Sequence, residues 1–436
     1  MAGSRHRLLV KHARQVVQVS STRQTVKCAA DMQHLNILQE EGDYSIMVGS
    51  DGLILDIGPT NEIEEKYNGD VIDQVIDASG KCIIPGLVDA HTHAVWAGDR
   101  VHEFAMKLAG ASYMDVHKAG GGIYFTVEHT RRATEDDLYE LLRKRLLKML
   151  RSGTTLVEVK SGYGLDTDSE VKMLRVIERA RRSLPIDISC TFCGAHAVPR
   201  DITPEEATRR VLQEQLPRIQ ALTSVGELHV HNIDVFCEEG VFSVQQSREI
   251  LLAGKAAGLN INFHGEELHR LNSAEMGAEI GALAISHLEE VSEEGMRAMA
   301  RAGTLGVLLP TTAFNLRLKP PPARALIQEG VPVALGSDFN PNAHCLAMPL
   351  VMNLACVTLR MSMPEVLVAA TLNAAAALGR SDMHGSLEIG KLANFLILDN
   401  PRWEHLIYQM GDHNSVIKHV VWHGDIVHST PSIDES

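Results

Sequence analysis

Between Val88 and Val366 the chain repeats one pattern eight times: a short apolar run rich in β-branched residues, then a longer amphipathic segment. The runs are Leu87–His91, Thr155–Val159, Ile186–Phe192, Ile233–Phe236, Asn260–Phe263, Ala282–Ser286, Leu305–Leu309 and Pro332–Gly336. Near-continuous apolar runs of this length fit strands buried on both faces. The segments between them read as helices at Asp168–Arg182, Pro204–Thr223, Ser243–Ala257, Ser273–Glu279, Ser292–Ala302, Pro322–Glu329 and Leu346–Leu359. An earlier helix opens at Thr134, an N-cap followed by an acidic first turn, and stops at Ser152-Gly153. Strands alternating with helices eight times predict an α/β chain folded as a (β/α)8 TIM-like barrel. A doubly wound open sheet is disfavoured, because no Gly-x-Gly-x-x-Gly turn follows the first strand.

The two ends read differently. Ser45–Gly49, Leu53–Ile57 and Val71–Asp77 are short strands separated by Gly, Pro and Asn, and GSLEIGKLANFLILD and VIKHVVWHGDIV near the C-terminus repeat that style. Neither end is long enough for a core of its own. The expectation is one small β-sandwich domain formed by the N- and C-terminal segments (1–80 and 381–436), beside a barrel at 81–380.

A formal net charge of -14 argues against nucleic acid and anionic membrane as partners, since both need a cationic face. The longest apolar runs are far too short to span a bilayer, and no leader pattern opens the sequence, so a cytoplasmic chain with reduced thiols is expected. Cys190 and Cys193 form a Cys-x-x-Cys pair, but without a second pair they read as buried strand cysteines rather than a zinc or redox motif.

The chemistry collects where the expected strands end. His91 and His93 close the first, Glu158 and Lys160 the second, His196 follows the third, His264 ends the fifth, His287 the sixth and Asp338 the eighth. All fall at C-terminal strand ends, the face on which barrel enzymes assemble their sites. Any one of these histidines is explained as a polar cap at the barrel mouth. As a set they point to a metal, with His91, His93, His264 and Asp338 as ligands, because three neutral imidazoles and a carboxylate suit zinc or iron(II).

In this order, PGLVDAHTHAVWAGDR, EVKSGYGL, GAHAVP, HGEEL, ISHLEE and GSDFNP resemble the amidohydrolase superfamily and, more narrowly, the imidazolonepropionase family. The similarity runs from about residue 40 to the last strands. It implies a (β/α)8 barrel with a composite β domain, one divalent metal per chain (zinc or iron), and metal-dependent hydrolytic opening of 4-imidazolone-5-propanoate to N-formimidoyl-L-glutamate in histidine degradation. The propanoate tail of that substrate calls for a cation. Arg100 can offer a bidentate fork; its other reading is a surface ion pair with Asp99 or Glu103. The resemblance also brings Tyr113, Tyr163, His196, Glu267 and Asn340 to the substrate. Tyr163 reads otherwise as a rim aromatic, and His196 as a buried histidine bonded to a backbone carbonyl. Glu267 can bond a ring nitrogen and shuttle a proton, His287 orients or deprotonates the water or else serves as a further ligand or a partner of Asp338, and Asp338 is itself a proton acceptor; which of the three is the base stays open, and Glu266 is an outward-facing neighbour or an exposed loop charge.

Some members of the superfamily bridge two metals with a carbamylated lysine from a later strand. Lys160 lies on the second, so a salt bridge with Glu158 and a single metal are expected. Where the family continues Asn-Pro-Gly and then a small hydroxyl residue, this chain has Asn340-Pro341-Asn342-Ala343, which leaves only backbone contacts to carry over at 342 and 343. The rival readings are an aminohydrolase that deaminates a heterocycle, which needs no carboxylate clamp, and an inactive scaffold homologue, which needs no intact ligand set. The expected partner is a small molecule bearing a carboxylate; a homodimer is allowed.

Overall fold

The computed structural model describes residues 4–39, 42–110 and 121–431. Eight parallel strands pair in sequence order: β1 (Leu87–Asp89), β2 (Thr154–Lys160), β3 (Asp187–Ala195), β4 (Asn232–Val235), β5 (Asn260–Gly265), β6 (Ala284–His287), β7 (Leu305–Leu308) and β8 (Val333–Leu335). Each of the eight apolar runs is one of these strands, with ends shifted by a few residues. Beyond the last ladder, β8 returns to β1. Asp338 N donates to His91 O (2.9 Å) and His93 N to Phe339 O (2.9 Å). The Asp89 carboxylate adds bonds from Ser337 N (2.8 Å) and Ser337 Oγ (2.5 Å). The barrel closes there.

The helices around the barrel follow their sequence signals. Thr134 and Asp137 make a reciprocal capping box at the start of the helix Glu135–Arg151, which buries Leu138, Leu142, Leu146 and Met149. The helix expected over Pro204–Thr223 is instead α-helix at Pro204–Arg210, a π turn at Val211–Gln215, and α-helix again at Leu216–Ser224. Pro217 has no N–H for the preceding turn, and the wider π turn accommodates that loss.

Two further sheets come from the chain ends. A four-stranded sheet holds Ile54–Pro59, Tyr44–Gly49, Arg5–Ala13 and Val71–Asp77, in that order. A six-stranded sheet places Asp425–Ser429, Ile417–Trp422 and Phe395–Leu398 beside Cys82–Pro85, Gln15–Val19 and Asn36–Leu38. Leu8, Val10, Ile46, Ile83, Phe395 and Val421 belong to one buried cluster drawn from both sheets, so the two ends share a core. Within CIIPGLVDA, Cys82–Pro85 belongs to this six-stranded sheet and Leu87–Asp89 to the barrel. Gly86 sits at the switch, where a Cβ would lie 2.2 Å from Thr155 Oγ1. Among the described residues no helix is long and apolar enough to cross a membrane.

Phe395 is fully buried in the shared core. Phe395→Ala removes a ring from a site with little room to collapse, and stability falls by about 3–5 kcal/mol. A thermal or denaturant unfolding curve beside that of the unsubstituted chain measures the loss.

Candidate active site

The strand ends bring together the side chains that the sequence reading singled out. His91 Nε2 lies 3.6 Å and His93 Nε2 3.7 Å from Asp338 Oδ1, and His93 Nε2 lies 3.1 Å from His264 Nε2. Potential donor atoms of His91, His93 and Asp338 fall within 4.8 Å of one another, as do those of His93, His196 and His264 and those of His91, His264 and His287. The far sides of three of these groups are anchored. His91 Nδ1 meets Ser286 Oγ (2.8 Å), His264 Nδ1 meets Asp234 Oδ1 (2.8 Å), and Asp338 Oδ2 accepts from Thr312 Oγ1 (2.5 Å).

The near sides face inward. Among the described residues, His91 Nε2 and Asp338 Oδ1 are buried with no hydrogen-bond partner. Buried polar atoms are rarely left so. Burial, reinforced by neighbouring cationic groups, holds the pKa of His91 and His93 well below the usual imidazole value, and burial lowers His264 as well. Neutral rings with inward lone pairs, together with one carboxylate, are the donor set that a zinc or iron(II) ion takes. The residues fit such an ion.

Beside this cluster opens a cleft of about 510 Å³ whose lining includes Arg100, Tyr163, His196, Glu267, His287 and Asn340. Tyr113 lies outside the described residues. The Tyr163 ring is 5.9 Å from that of His93, and His196 stacks on His93 at 4.5 Å. His196 lines the cleft, and its Nδ1 bonds Gly162 O (3.0 Å), the backbone-carbonyl contact of its structural reading.

Arg100 is buried, and the ion pair weighed from sequence forms inside the protein rather than on its surface. Its Nε and Nη2 hold the Glu103 carboxylate at 2.9 and 2.7 Å, and Nη2 also reaches Asn342 Oδ1 at 2.8 Å. Thus the Asn that departs from the family pattern touches Arg100 by its side chain. Asn340 ties its own loop together, donating to Asp338 O (2.8 Å) and accepting from Asn342 N (2.7 Å).

Glu266 corrects an expectation. It is neither outward nor exposed: fully buried, it accepts from Ser273 Oγ (2.7 Å) and Leu271 N (3.2 Å) and caps the helix Ser273–Ile280. A residue pattern of Glu-Glu does not reveal which carboxylate turns inward as a cap.

His287 stands between two carboxylates, Nε2 3.4 Å from Glu267 and Nδ1 3.7 Å from Glu289. Burial opposes its charged form, yet Glu267, Glu289 and Asp338 outweigh burial and hold its pKa up at about 10. Burial raises Glu267 to about 7, with His287 opposing and Glu289 adding. Backbone strain gathers at the same place. His287 (φ 82°) and Asp338 (φ 47°) are both left-handed, a conformation that costs energy in a non-glycine residue and concentrates at functional sites.

Sequence reasoning missed Asp234, Glu289 and Arg145. Asp234 hid inside an apolar run, and Glu289 follows the sixth strand in LEE with nothing to mark it as buried. Arg145, on the helix Glu135–Arg151, donates to Ala94 O (2.9 Å) and Trp96 O (2.8 Å) and stacks on Trp96 at 3.6 Å. Its position on the apolar side of the helix was the available signal.

A closed eight-stranded barrel with this donor cluster at its C-terminal mouth defines a class, the amidohydrolase-type hydrolases. The Amidohydrolase family model matches residues 82–427. Proteins named "probable imidazolonepropionase" are 59% identical in Nematostella vectensis (97% of this chain and 99% of that protein) and 57% identical in Homo sapiens (98% and 100%). The chain belongs to the amidohydrolase family, in its imidazolonepropionase branch, and is a hydrolase acting on carbon–nitrogen bonds. Solved structures share the fold at low identity. An adenosine deaminase from Xanthomonas campestris with bound zinc aligns at TM-score 0.69 and 18% identity, over 97% of this chain and 93% of that one. The guanine deaminase of E. coli aligns at TM-score 0.68 and 16% identity, over 97% and 100%.

Gly336, just past β8, leaves no room beside β1: a Cβ there would lie 2.8 Å from His91 Cβ and 2.9 Å from His91 N. Gly336→Ala therefore pushes His91 out of register while the barrel remains. Turnover falls on the order of 10–100-fold, as misplacement by a fraction of an ångström to 1 Å does. Far-UV circular dichroism alongside kcat checks both halves of that statement.

Proposed function

We propose that the site opens the ring of 4-imidazolone-5-propanoate by hydrolysis, giving N-formimidoyl-L-glutamate. The observation that carries this reading is the placement of Arg100 and Tyr163 in the same cleft as the His/Asp cluster. A substrate seated there meets a cation for an anionic tail and a donor cluster for a reacting carbonyl. The names of the full-length relatives support the same substrate.

In this reading His91, His93, His264 and Asp338 would hold one zinc or iron ion, and that ion would supply Lewis acidity. The rest of the work belongs to the chain. Arg100 binds the propanoate through Nη1, which makes no hydrogen bond among the described residues, while Glu103 and Asn342 fix its other edge. Tyr163 and His196 pack against the ring, and Asn340 holds the loop after β8 in place. Asp338 accepts the proton lost by water, and His287 presents an N–H to the carbonyl oxygen. Glu267, whose pKa of about 7 keeps it partly protonated at neutral pH, gives its proton to the departing ring nitrogen. The carbon–nitrogen bond breaks as that N–H forms, and the proton on Asp338 returns to Glu267 through solvent. We carry Tyr113 over as a substrate-binding residue as well, and assign the chain to the cytoplasm and the assembly to a homodimer.

Turnover of freshly made imidazolone propanoate, followed by absorbance beside a panel of heterocyclic deaminase substrates, tests the assignment. Loss of the imidazolone signal is expected; ammonia release from the panel with no imidazolone turnover would replace this reading by the deaminase one. Metal analysis is expected to find about one zinc or iron per chain, and chelation to abolish activity. Arg100→Ala raises KM roughly 10–100-fold, the weight of a charge-assisted hydrogen bond, with metal content unchanged. A wild-type KM would remove Arg100 from the propanoate. Because Glu267 must start protonated, kcat/KM declines as pH rises above about 7. Glu267→Gln loses most activity, and the residual rate no longer shows that descent.

A further inference from the structure

One buried ionic line enters none of these steps. Lys160, with its side chain fully buried at the end of β2, places Nζ 2.6 Å from Asp234 Oδ2 and 2.7 Å from Glu158 Oε2. The other Glu158 oxygen accepts from Thr191 Oγ1 (2.5 Å), and Asn232 Nδ2 donates to Thr191 Oγ1 (3.0 Å). At the other end, Asp234 Oδ1 faces His264 Nδ1 (2.8 Å) and accepts the His264 backbone N–H (3.2 Å). Six side chains from β2, β3, β4 and β5 thus form one continuous path. It ends on the ring nitrogen of His264 opposite the one that faces His93.

We propose that Lys160 and Asp234 are positioning residues: they fix His264 with its proton on Nδ1 and so present the Nε2 lone pair to the metal. This rests on the reading of His264 as a ligand. An ammonium group has only donors and an ionised carboxylate only acceptors. With Lys160 donating to one oxygen of Asp234, the other oxygen faces a ring nitrogen that must carry the hydrogen. Only one tautomer of His264 satisfies that contact.

The same arrangement removes Lys160 from carbamate chemistry, since an ammonium held by two carboxylates has no free lone pair.

The test is zinc affinity by competition with a graded series of chelators, made on the full chain. In Asp234→Asn the charged Lys160 ammonium, which accepts nothing, takes the amide oxygen at the cost of the His264 backbone N–H contact, and the NH2 then meets His264 Nδ1. The proton is driven to Nε2, and zinc affinity falls about 10–100-fold, the usual weight of a partner behind a ligating histidine. Adding Lys160→Met frees the amide to rotate, and part of that affinity returns. A purely structural role predicts the reverse, with the second substitution only adding damage. Nitrogen-15 histidine NMR of the unsubstituted, metal-free chain, with His264 assigned by His264→Gln, needs no variant at Asp234 to fold. It is expected to show the Nδ1–H tautomer, and an Nε2–H tautomer would overturn the inference. Zinc binding to Asp234→Asn as tight as to wild type overturns it too while leaving the site reading standing. A wild-type chain that binds no zinc or iron overturns the site reading itself.

Discussion

The seam between β1 and β8 is the contact on which the site depends. The Asp89 carboxylate receives both the backbone N–H and the hydroxyl of Ser337, a residue 248 positions away, and the two strands run on together through His91, Asp338, His93 and Phe339. His91 and His93 leave one side of this seam and Asp338 the other. Their convergence is set by barrel closure, because the segments that carry them bond to each other just beyond the strands. Burial pushes the Asp89 carboxyl up to about 7, while the bonds from Ser337 pull against it. Each bond to an ionised carboxylate is worth about 1.5–3 kcal/mol net, so the seam is held best by the charged form. Gly336 shows how tight the closure is: the only side chain that fits between the strands there is none.

Burial then does opposite things to neighbouring groups, and the difference comes from which charges stand near. Burial and neighbouring cationic groups keep His91 and His93 neutral, although Asp338 lies close to both. His287, equally buried, sees Glu267, Glu289 and Asp338, and its charged form is favoured. Glu267, among carboxylates in the same space, is pushed the other way from most acids. Three kinds of behaviour arise within one cleft from one low-dielectric environment. Lone-pair donors, a cationic hydrogen-bond donor and a protonated acid are what hydrolysis of a cyclic amide draws on.

Much of this was legible in the sequence, for identifiable reasons. Parallel strands buried on both faces write themselves as apolar runs, and side chains at their C-terminal ends must meet, so His91, His93, His264, His287 and Asp338 could be placed together before any coordinates. Hidden from that logic were residues whose role is set by partners distant in the chain. Asp234 sits within an apolar run, and only its contacts with Lys160 and His264 give it meaning. Glu266 and Glu267 are adjacent and chemically alike, yet one caps a helix and the other faces the cleft. Arg5–Ala13 and Gln15–Val19 pair with strands far along the chain, and RHRLLVKHARQVVQV interrupts its apolar positions with charge, so neither strand stood out.

Arg100 joins the substrate side of the cleft to this framework. It lies seven residues after His93, on a segment with no regular structure, where a free arginine would sample many rotamers. Two devices remove that freedom. Arg145 reaches from the helix Glu135–Arg151 to grip Ala94 O and Trp96 O and covers the Trp96 ring, so the segment leaving β1 is fixed. Glu103 and Asn342 then hold one edge of the guanidinium, and Asn342 belongs to the loop that also carries Asp338 and Asn340. The ordering cost of the cation is met during folding rather than at binding, which is how a preorganised site gains affinity for a small anion. A net charge of -14 does not by itself weigh against such an anion, because what the cleft presents is a buried guanidinium held in one orientation, its charge shared with Glu103, and not the distant surface.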